Sequence, residues 1–150
     1  ALAVLVVVGF RLLGGQMPAA MALGFAAALL TACGLTLITG AELGLLLYPV
    51  LVNLTLLVLF ALSLRHPPSI IETLARLREP DFPPQGVVYT RKVTLVWAIF
   101  FAVNGAIAAA TIALGKTWWT LYNGLIAYLL MGLLFAAEWL VRQRVMRRAH

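Results

Sequence analysis

The strongest constraint on this chain comes from long apolar runs that contain no charge. Two of them, Leu43–Leu64 and Val93–Leu114, are each 22 residues long and hold no Asp, Glu, Lys or Arg. A helix needs roughly 20 apolar residues to cross a bilayer. An uncharged run of this length is therefore more typical of a membrane span than of a buried helix in a soluble core.

Apolar runs of this kind predict an all-α membrane protein. We expect a single domain over 1–150, built as a bundle of about five transmembrane helices with a short cytoplasmic amphipathic helix. The expected spans are 1–13, 17–38, 43–64, 93–114 and 118–141. The first run is too short to cross a bilayer, so we expect about ten of its residues to precede Ala1.

Composition favours lipid as the solvent of this protein. Apolar residues make up 63% of the chain and charged residues 11%, against roughly a quarter charged in soluble domains. The formal net charge of +6 does not require a nucleic-acid partner, because membrane proteins retain Lys and Arg in their cytoplasmic loops. We therefore expect the lipid bilayer as a partner, and no nucleic acid.

The distribution of cations predicts the orientation of the spans. If the loop 65–92 and the tail 142–150 face the cytoplasm, the nine Lys and Arg residues that they contain lie inside. Arg11 then lies at the cytoplasmic end of the first span, so ten of the eleven cations are inside and Lys116 is outside. The opposite orientation would contradict the positive-inside rule. We therefore expect a multi-pass protein of the cytoplasmic membrane with its C-terminus inside. Trp118 and Trp119 would mark the outer boundary of the last span, since such rings prefer the headgroup layer.

The loop 65–92 holds the pattern of a short amphipathic helix. Ser69 and Glu72 have capping-box spacing, which predicts a helix start. Pro80 would end this helix, and Pro83–Pro84 would keep the following stretch extended. Apolar residues recur on one face of the predicted helix, which favours a role at the membrane surface or in binding a partner. These residues are Ile70, Ile71, Leu74 and Leu77.

Two asparagines lie at matching depths in the third and fourth predicted spans. Because polar groups inside a bilayer are expensive, Asn53 and Asn104 each require an explanation. One interpretation is a hydrogen bond between the helices, worth about 0.6–2 kcal/mol. The other is a polar point on a ligand or lipid path. The sequence leaves both open.

The last predicted span carries two further polar candidates. Asn123 lies about one turn below the aromatic boundary, where it could cap or cross-link helices. Glu138 precedes Arg142 by four residues, which is the spacing of a stabilising pair on one helix face. A proton relay through Glu138 would need a second buried titratable group at similar depth, and the sequence shows none.

Side chains that could carry catalysis are sparse. Cys33 is the single cysteine, and the two histidines, His66 and His150, are far apart in the sequence. The spans contain no zinc-ligand spacing, no phosphate-binding glycine loop and no pairing of a nucleophile with a base. We therefore expect no catalytic residue, no cofactor and no metal.

Four segments carry a resemblance to known proteins. They are Tyr48–Asn53, Tyr89–Phe101, Trp118–Gly124 and the terminal arginine cluster. In these segments the chain resembles a small family of bacterial inner-membrane proteins that occur in aryl-polyene and related pigment-lipid biosynthesis clusters. It is more distantly similar to the intracellular septation protein A family. The resemblance covers residues 48 to 148.

The resemblance implies a location in the bacterial inner membrane and a role in the cell envelope. The septation family implies contacts with division or elongation proteins, and the pigment-cluster family implies help in assembling or moving an acylated lipid. Neither supplies catalytic residues.

Three functions follow as hypotheses from these observations. The first is a non-enzymatic accessory protein that organises partner proteins or lipid intermediates. The second is a small transporter or lipid flippase component, in which a homo-oligomer completes a path lined by Asn53 and Asn104. The third is a lipid-modifying enzyme with Glu138 or Glu42 as its base.

Overall fold

A computed structural model describes residues 19–78 and 80–147 of the chain. Over these residues every regular element is helical, so the prediction of an all-α protein is confirmed. The elements are α1 (Ala19–Thr39), α2 (Ala41–Arg65), α3 (Ile70–Arg78), α4 (Pro84–Leu114), α5 (Lys116–Leu121), a π-helical turn (Tyr122–Ile126) and α6 (Ala127–Arg147).

Three helical stretches of the described chain are long and apolar enough to cross a membrane. They are Ala41–Arg65, Pro84–Leu114 and Lys116–Val145, and they correspond to the third, fourth and fifth predicted spans. Helix α1 coincides with the second predicted span, and its crossing of the membrane stays a prediction. The first predicted span lies outside the described residues.

The chain divides into two compact units, with the boundary between Gly105 and Ala106. In the first unit, α1 and α2 form a hairpin about Gly40, whose φ of +88° favours glycine. Gly44 lies on the inner side of this hairpin. A Cβ added to Gly44 would lie 2.9 Å from Thr36 Cα and would also meet the Thr36 hydroxyl. The absent side chain therefore lets the two helices approach closely at this end.

Helix α4 presents one continuous buried face in the first unit. The buried residues recur every three or four positions, as a helix with one covered face requires. They are Thr90, Val93, Thr94, Trp97, Ala98, Phe101 and Asn104. The Phe101 ring packs edge-on against Phe60 of α2, with centroids 5.1 Å apart. Leu95, Val96 and Ile99 on the opposite face are exposed, which suits a helix that meets lipid.

The start of α4 corrects one sequence prediction. The stretch after Pro83–Pro84 was expected to be extended, but a helix begins at Pro84. Proline suits the first helical position, because the N–H that it lacks would have no partner there. The Pro83 carbonyl accepts hydrogen bonds from the N–H groups of Gly86 and Val87, at 2.9 and 3.3 Å. The predicted span 93–114 lies within this helix, and the membrane bounds of the span and of the loop 65–92 stay predictions.

The second unit contains the end of α4, then α5, the π-helical turn and α6. Gly115, with a φ of +101°, separates α4 from α5, and its carbonyl accepts a hydrogen bond from Trp119 N–H at 3.0 Å. Tyr122 and Ala127 are buried. Large apolar side chains along α6, such as Leu133 and Trp139, are exposed. A helix that is apolar on its exposed side requires lipid or another helix as its neighbour.

Candidate functional site

The best-defined polar arrangement lies where α3 meets α2 and α4. The first two N–H groups of α3 receive side-chain oxygens from the other two helices. Ile70 N–H donates to Ser63 Oγ at 3.2 Å, and Ile71 N–H donates to Thr94 Oγ1 at 3.4 Å. The first N–H groups of a helix lack partners within it, so these contacts attach the start of α3 to both neighbouring helices.

Each of the two hydroxyls is itself held in place. Ser63 Oγ donates to the Phe60 carbonyl at 2.8 Å, and Thr94 Oγ1 donates to the Thr90 carbonyl at 2.8 Å. A hydroxyl has one hydrogen to donate and can still accept. Both side chains are therefore oriented by their own helix, with their acceptor side turned to α3.

The capping box predicted at Ser69 and Glu72 is present only as a spacing. The helix does begin directly after Ser69, and the Ser69 carbonyl accepts from Thr73 N–H at 2.8 Å. The Ser69 side chain is 2% exposed, and its Oγ has no hydrogen-bond partner. The predicted start of the helix is therefore confirmed, but Ser63 and Thr94 supply its side-chain caps in place of the Ser69 hydroxyl.

The C-terminal half of α3 reaches the start of α4 through Arg76 and the Phe82 ring. Glu72 is buried, and its Oε1 accepts from Arg76 Nε at 2.9 Å. The Arg76 guanidinium lies 5.7 Å from the centroid of the Phe82 ring, within the range of a cation–π contact. That ring covers Gly86, since a Cβ there would lie 2.7 Å from Phe82 Cζ. We call residues 63–94, with α3 fixed at both ends, the α3 platform.

The apolar face predicted for α3 is divided between the interior and the surface. Ile70 is 4% exposed and packs inside the first unit, whereas Leu74 is 37% exposed. Ile71 and Leu77 are half-buried. Ile70 is therefore not available to a membrane surface or a partner, which corrects the expectation that all four residues share that role.

The two mid-depth asparagines contact one another. Asn104 Nδ2 donates to Asn53 Oδ1 at 3.0 Å, and both side chains are buried. Asn53 Nδ2 donates in turn to the Pro49 carbonyl on its own helix at 2.8 Å. A Cβ added to Gly105 would lie 3.0 Å from Asn53 Cβ, so the small residue permits this close approach. The pair therefore links α2 to α4 by a side-chain hydrogen bond.

Asn123 lies in the π-helical turn of the second unit. Its Nδ2 donates to Thr111 Oγ1 at 3.2 Å and to the Trp119 carbonyl at 3.0 Å. The side chain therefore joins the end of α4 to the turn before α6. Turns of the π-helical kind are often found at functional positions. Here the two hydrogen bonds of Asn123 hold neighbouring helical segments together, and this structural role explains them.

Glu138 and Arg142 lie one turn apart on α6. Glu138 is half-buried and Arg142 is exposed. Their role as a stabilising pair stays a prediction. Within the described part of the chain, no group of three His, Cys, Asp or Glu side chains is placed to hold a metal ion.

Sequence reasoning did not identify the residues that hold α3. Ser63 and Thr94 lie within predicted apolar spans, and Arg76 lies in the predicted loop. A small hydroxyl residue near the end of a span is a weak signal, because most such residues bond to their own helix. Ser63 and Thr94 accept hydrogen bonds from N–H groups that lie seven and 23 positions away in the sequence. A local sequence pattern does not reveal contacts over such separations.

Comparisons of the chain with protein-family models, with curated proteins and with solved structures found no significant match. The family resemblance noted in the sequence therefore stays a prediction carried by its motifs.

Proposed function

We propose that this chain is a non-enzymatic integral protein of the bacterial inner membrane that organises partner proteins or lipid intermediates of envelope synthesis. The proposal starts from three apolar helices long enough to span a membrane. It adds two predictions from the sequence: five spans in all, and a cytoplasmic C-terminus. The uneven distribution of Lys and Arg supports that orientation.

The observation that carries the proposal is the fixed position of α3. A short helix in a loop between two spans has little stability by itself. Here its N-terminal N–H groups are bonded to α2 and α4, and its C-terminal half is held through Arg76 and Phe82. A surface that is ordered before binding loses less conformational entropy when a partner binds. The α3 platform is suited to presenting a defined surface.

Leu74 is the most exposed of the four apolar residues predicted to face a partner. It is exposed on α3, while Ile70 on the same helix is used for internal packing. The partners proposed are enzymes of envelope synthesis or proteins of division and elongation, in keeping with the family resemblance. In the pigment-lipid form of this proposal, the partner is an enzyme that supplies an acylated lipid, and this protein helps to assemble that product.

The proposal is tested by photo-crosslinking in native bacterial membranes. A benzoylphenylalanine is placed at Leu74 in the full chain, and a matched one at Leu54, which is exposed near the middle of α2. We expect a discrete adduct at Leu74 that mass spectrometry identifies as an envelope-synthesis or division protein. The Leu54 probe should react with lipid.

Two results would count against the proposal. One is a Leu74 probe that yields no protein adduct beyond that of the Leu54 control. The other is an adduct that contains only chaperones or ribosomal proteins. Ile70 is unsuitable for this experiment, because a probe there would disturb the seating of α3 itself.

The transporter alternative predicts a hydrated path past the two mid-depth asparagines. The surroundings of Asn53 and Asn104 do not favour it. Both side chains are buried and hydrogen-bonded to one another, so neither asparagine is exposed to a solute.

A further inference from the structure

The exposed charges of the α3 platform are mostly of one sign. Arg65 at the end of α2 and the neighbouring Arg91 and Lys92 on α4 are all exposed. Among the described side chains of the platform, Asp81 is the one exposed carboxylate. The buried carboxylate of α3 already has a guanidinium partner. The platform therefore presents an excess of positive charge to its surroundings.

Buried neighbours determine where the two α4 cations lie. Thr90, Val93 and Thr94 face the interior, and they flank Arg91 and Lys92 in the sequence. Residues one and two positions along a helix point about 100° and 200° away from a given side chain. The two cations are therefore held on the outward side of α4 by the packing of the residues beside them.

The cations adjoin exposed apolar side chains. On α4, Lys92 lies one turn after the exposed Val88 and one turn before the exposed Leu95 and Val96. On α2, the exposed Leu62 precedes Arg65 by three positions. Lys and Arg side chains beside apolar surface can lay their stems along it and extend their charged groups to the lipid phosphates.

We propose that Arg91 and Lys92, neighbours on the outward side of α4, bind the phosphate group of an anionic phospholipid of the phosphatidylglycerol class. The inference deepens the proposed function and rests on its claim that the protein resides in a membrane. Arg and Lys form charge-assisted hydrogen bonds with phosphate oxygens. The apolar residues one turn away contact the acyl chains of the same lipid.

A lipid fits this surface better than an acidic protein segment does. On α4 the positive groups adjoin exposed leucine and valine side chains, and a phospholipid supplies a partner for each. An acidic peptide would satisfy the cations and leave the adjoining apolar surface uncovered. Charge and apolar contact together indicate the amphipathic ligand.

The test is the lipid preference of the full chain in vesicles. The protein is reconstituted in phosphatidylcholine, and electron spin resonance measures the motionally restricted fraction of spin-labelled phosphatidylglycerol and of spin-labelled phosphatidylcholine. We expect wild type to prefer the anionic lipid. The double variant Arg91→Gln with Lys92→Gln should reduce that preference by about fivefold for each cation removed.

Two control variants separate the site from net charge and from misfolding. The variant Arg142→Gln with Arg144→Gln removes two exposed cations from α6. These two side chains point about 200° apart on the helix and cannot share one phosphate, so the variant should keep most of the preference. The exchange Arg91→Lys with Lys92→Arg retains both charges and should also keep it. Vesicles contain no partner protein and offer the same lipid at both ends of the spans. The outcome therefore does not depend on orientation in the cell or on the crosslinking experiment at Leu74.

Three results would overturn the inference. The first is a wild type that binds both labelled lipids equally. The second is an α6 variant that loses the preference as fully as the α4 variant does. The third is an α4 Gln variant that keeps the full lipid preference of wild type, which would show that these cations do not hold the lipid.

Discussion

The α2–α4 contact in the first unit and helix α6 in the second are both apolar, but they use their few polar and small residues differently. Along α2 and α4 these residues make tertiary contacts, as in the hydrogen bond between Asn53 and Asn104. Along α6, Gly132 has no neighbour within 4 Å of an added Cβ, and large side chains are exposed. Apolar sequence alone therefore does not determine which helix faces form specific contacts.

The comparison shows what specifies helix packing when the solvent is lipid. Burying a leucine against another helix gains little there, since lipid tails are equally apolar. Close backbone approach and hydrogen bonds discriminate between helix faces, and these are concentrated in the first unit. The following predictions test that contrast, from the largest expected effect to the smallest.

Gly44→Ala should have the largest effect. The new Cβ would lie 2.9 Å from Thr36 Cα, and a backbone atom cannot move aside without separating α1 from α2. We expect a loss of about 3 kcal/mol in the free energy of unfolding, measured by SDS titration in mixed micelles. Gly34→Ala is the matched control on α1, because an added Cβ there meets nothing within 4 Å. Equal effects of the two variants would refute the close approach.

Asn104→Leu should cost about 2 kcal/mol, because it leaves the buried Asn53 oxygen without its donor. Asn123→Leu in the second unit should cost less than about 1 kcal/mol. Its partner Thr111 keeps the hydrogen bond from its own hydroxyl to the Ala108 carbonyl. The same titration measures both variants. The contrast between the units fails if Asn123→Leu proves the more damaging.

Thr94→Val should loosen α3 without unfolding the spans. Valine has nearly the same shape but removes the acceptor for Ile71 N–H, at a cost of about 1.4 kcal/mol. Amide hydrogen exchange in the first turn of α3 should therefore become about tenfold faster. Thr55→Val is the control, because the Thr55 hydroxyl bonds to the Leu51 carbonyl of its own helix. Unchanged exchange in Thr94→Val would mean that this hydroxyl does not hold α3.

Gly132→Ala should have the smallest effect, within about 0.5 kcal/mol of wild type. The added methyl group meets open space, so α6 has no close contact to lose at this position. Thermal unfolding in micelles is a sufficient measurement. A loss comparable to that of Gly44→Ala would reveal a close helix contact at Gly132 and would remove the contrast between the two units.

The sequence by itself determined the elements that depend on local chemistry. Long apolar runs predicted helices that the structure places at Ala41–Arg65, Pro84–Leu114 and Lys116–Val145, because bilayer thickness sets the length that such a run must have. The spacing of Ser69 and Glu72 predicted where α3 begins. The equal depths of Asn53 and Asn104 also follow from counting residues along two antiparallel helices.

Tertiary structure alone decided which groups meet. Ser63 and Thr94 cap α3 from two other helices, and Ile70 is covered by the same arrangement instead of facing outward. The early start of α4 at Pro84 likewise brings Gly86 under the Phe82 ring. Hydropathy and helical period describe a residue together with its near neighbours in the chain. A hydrogen bond across 23 positions depends on how whole helices pack, which a local pattern does not contain.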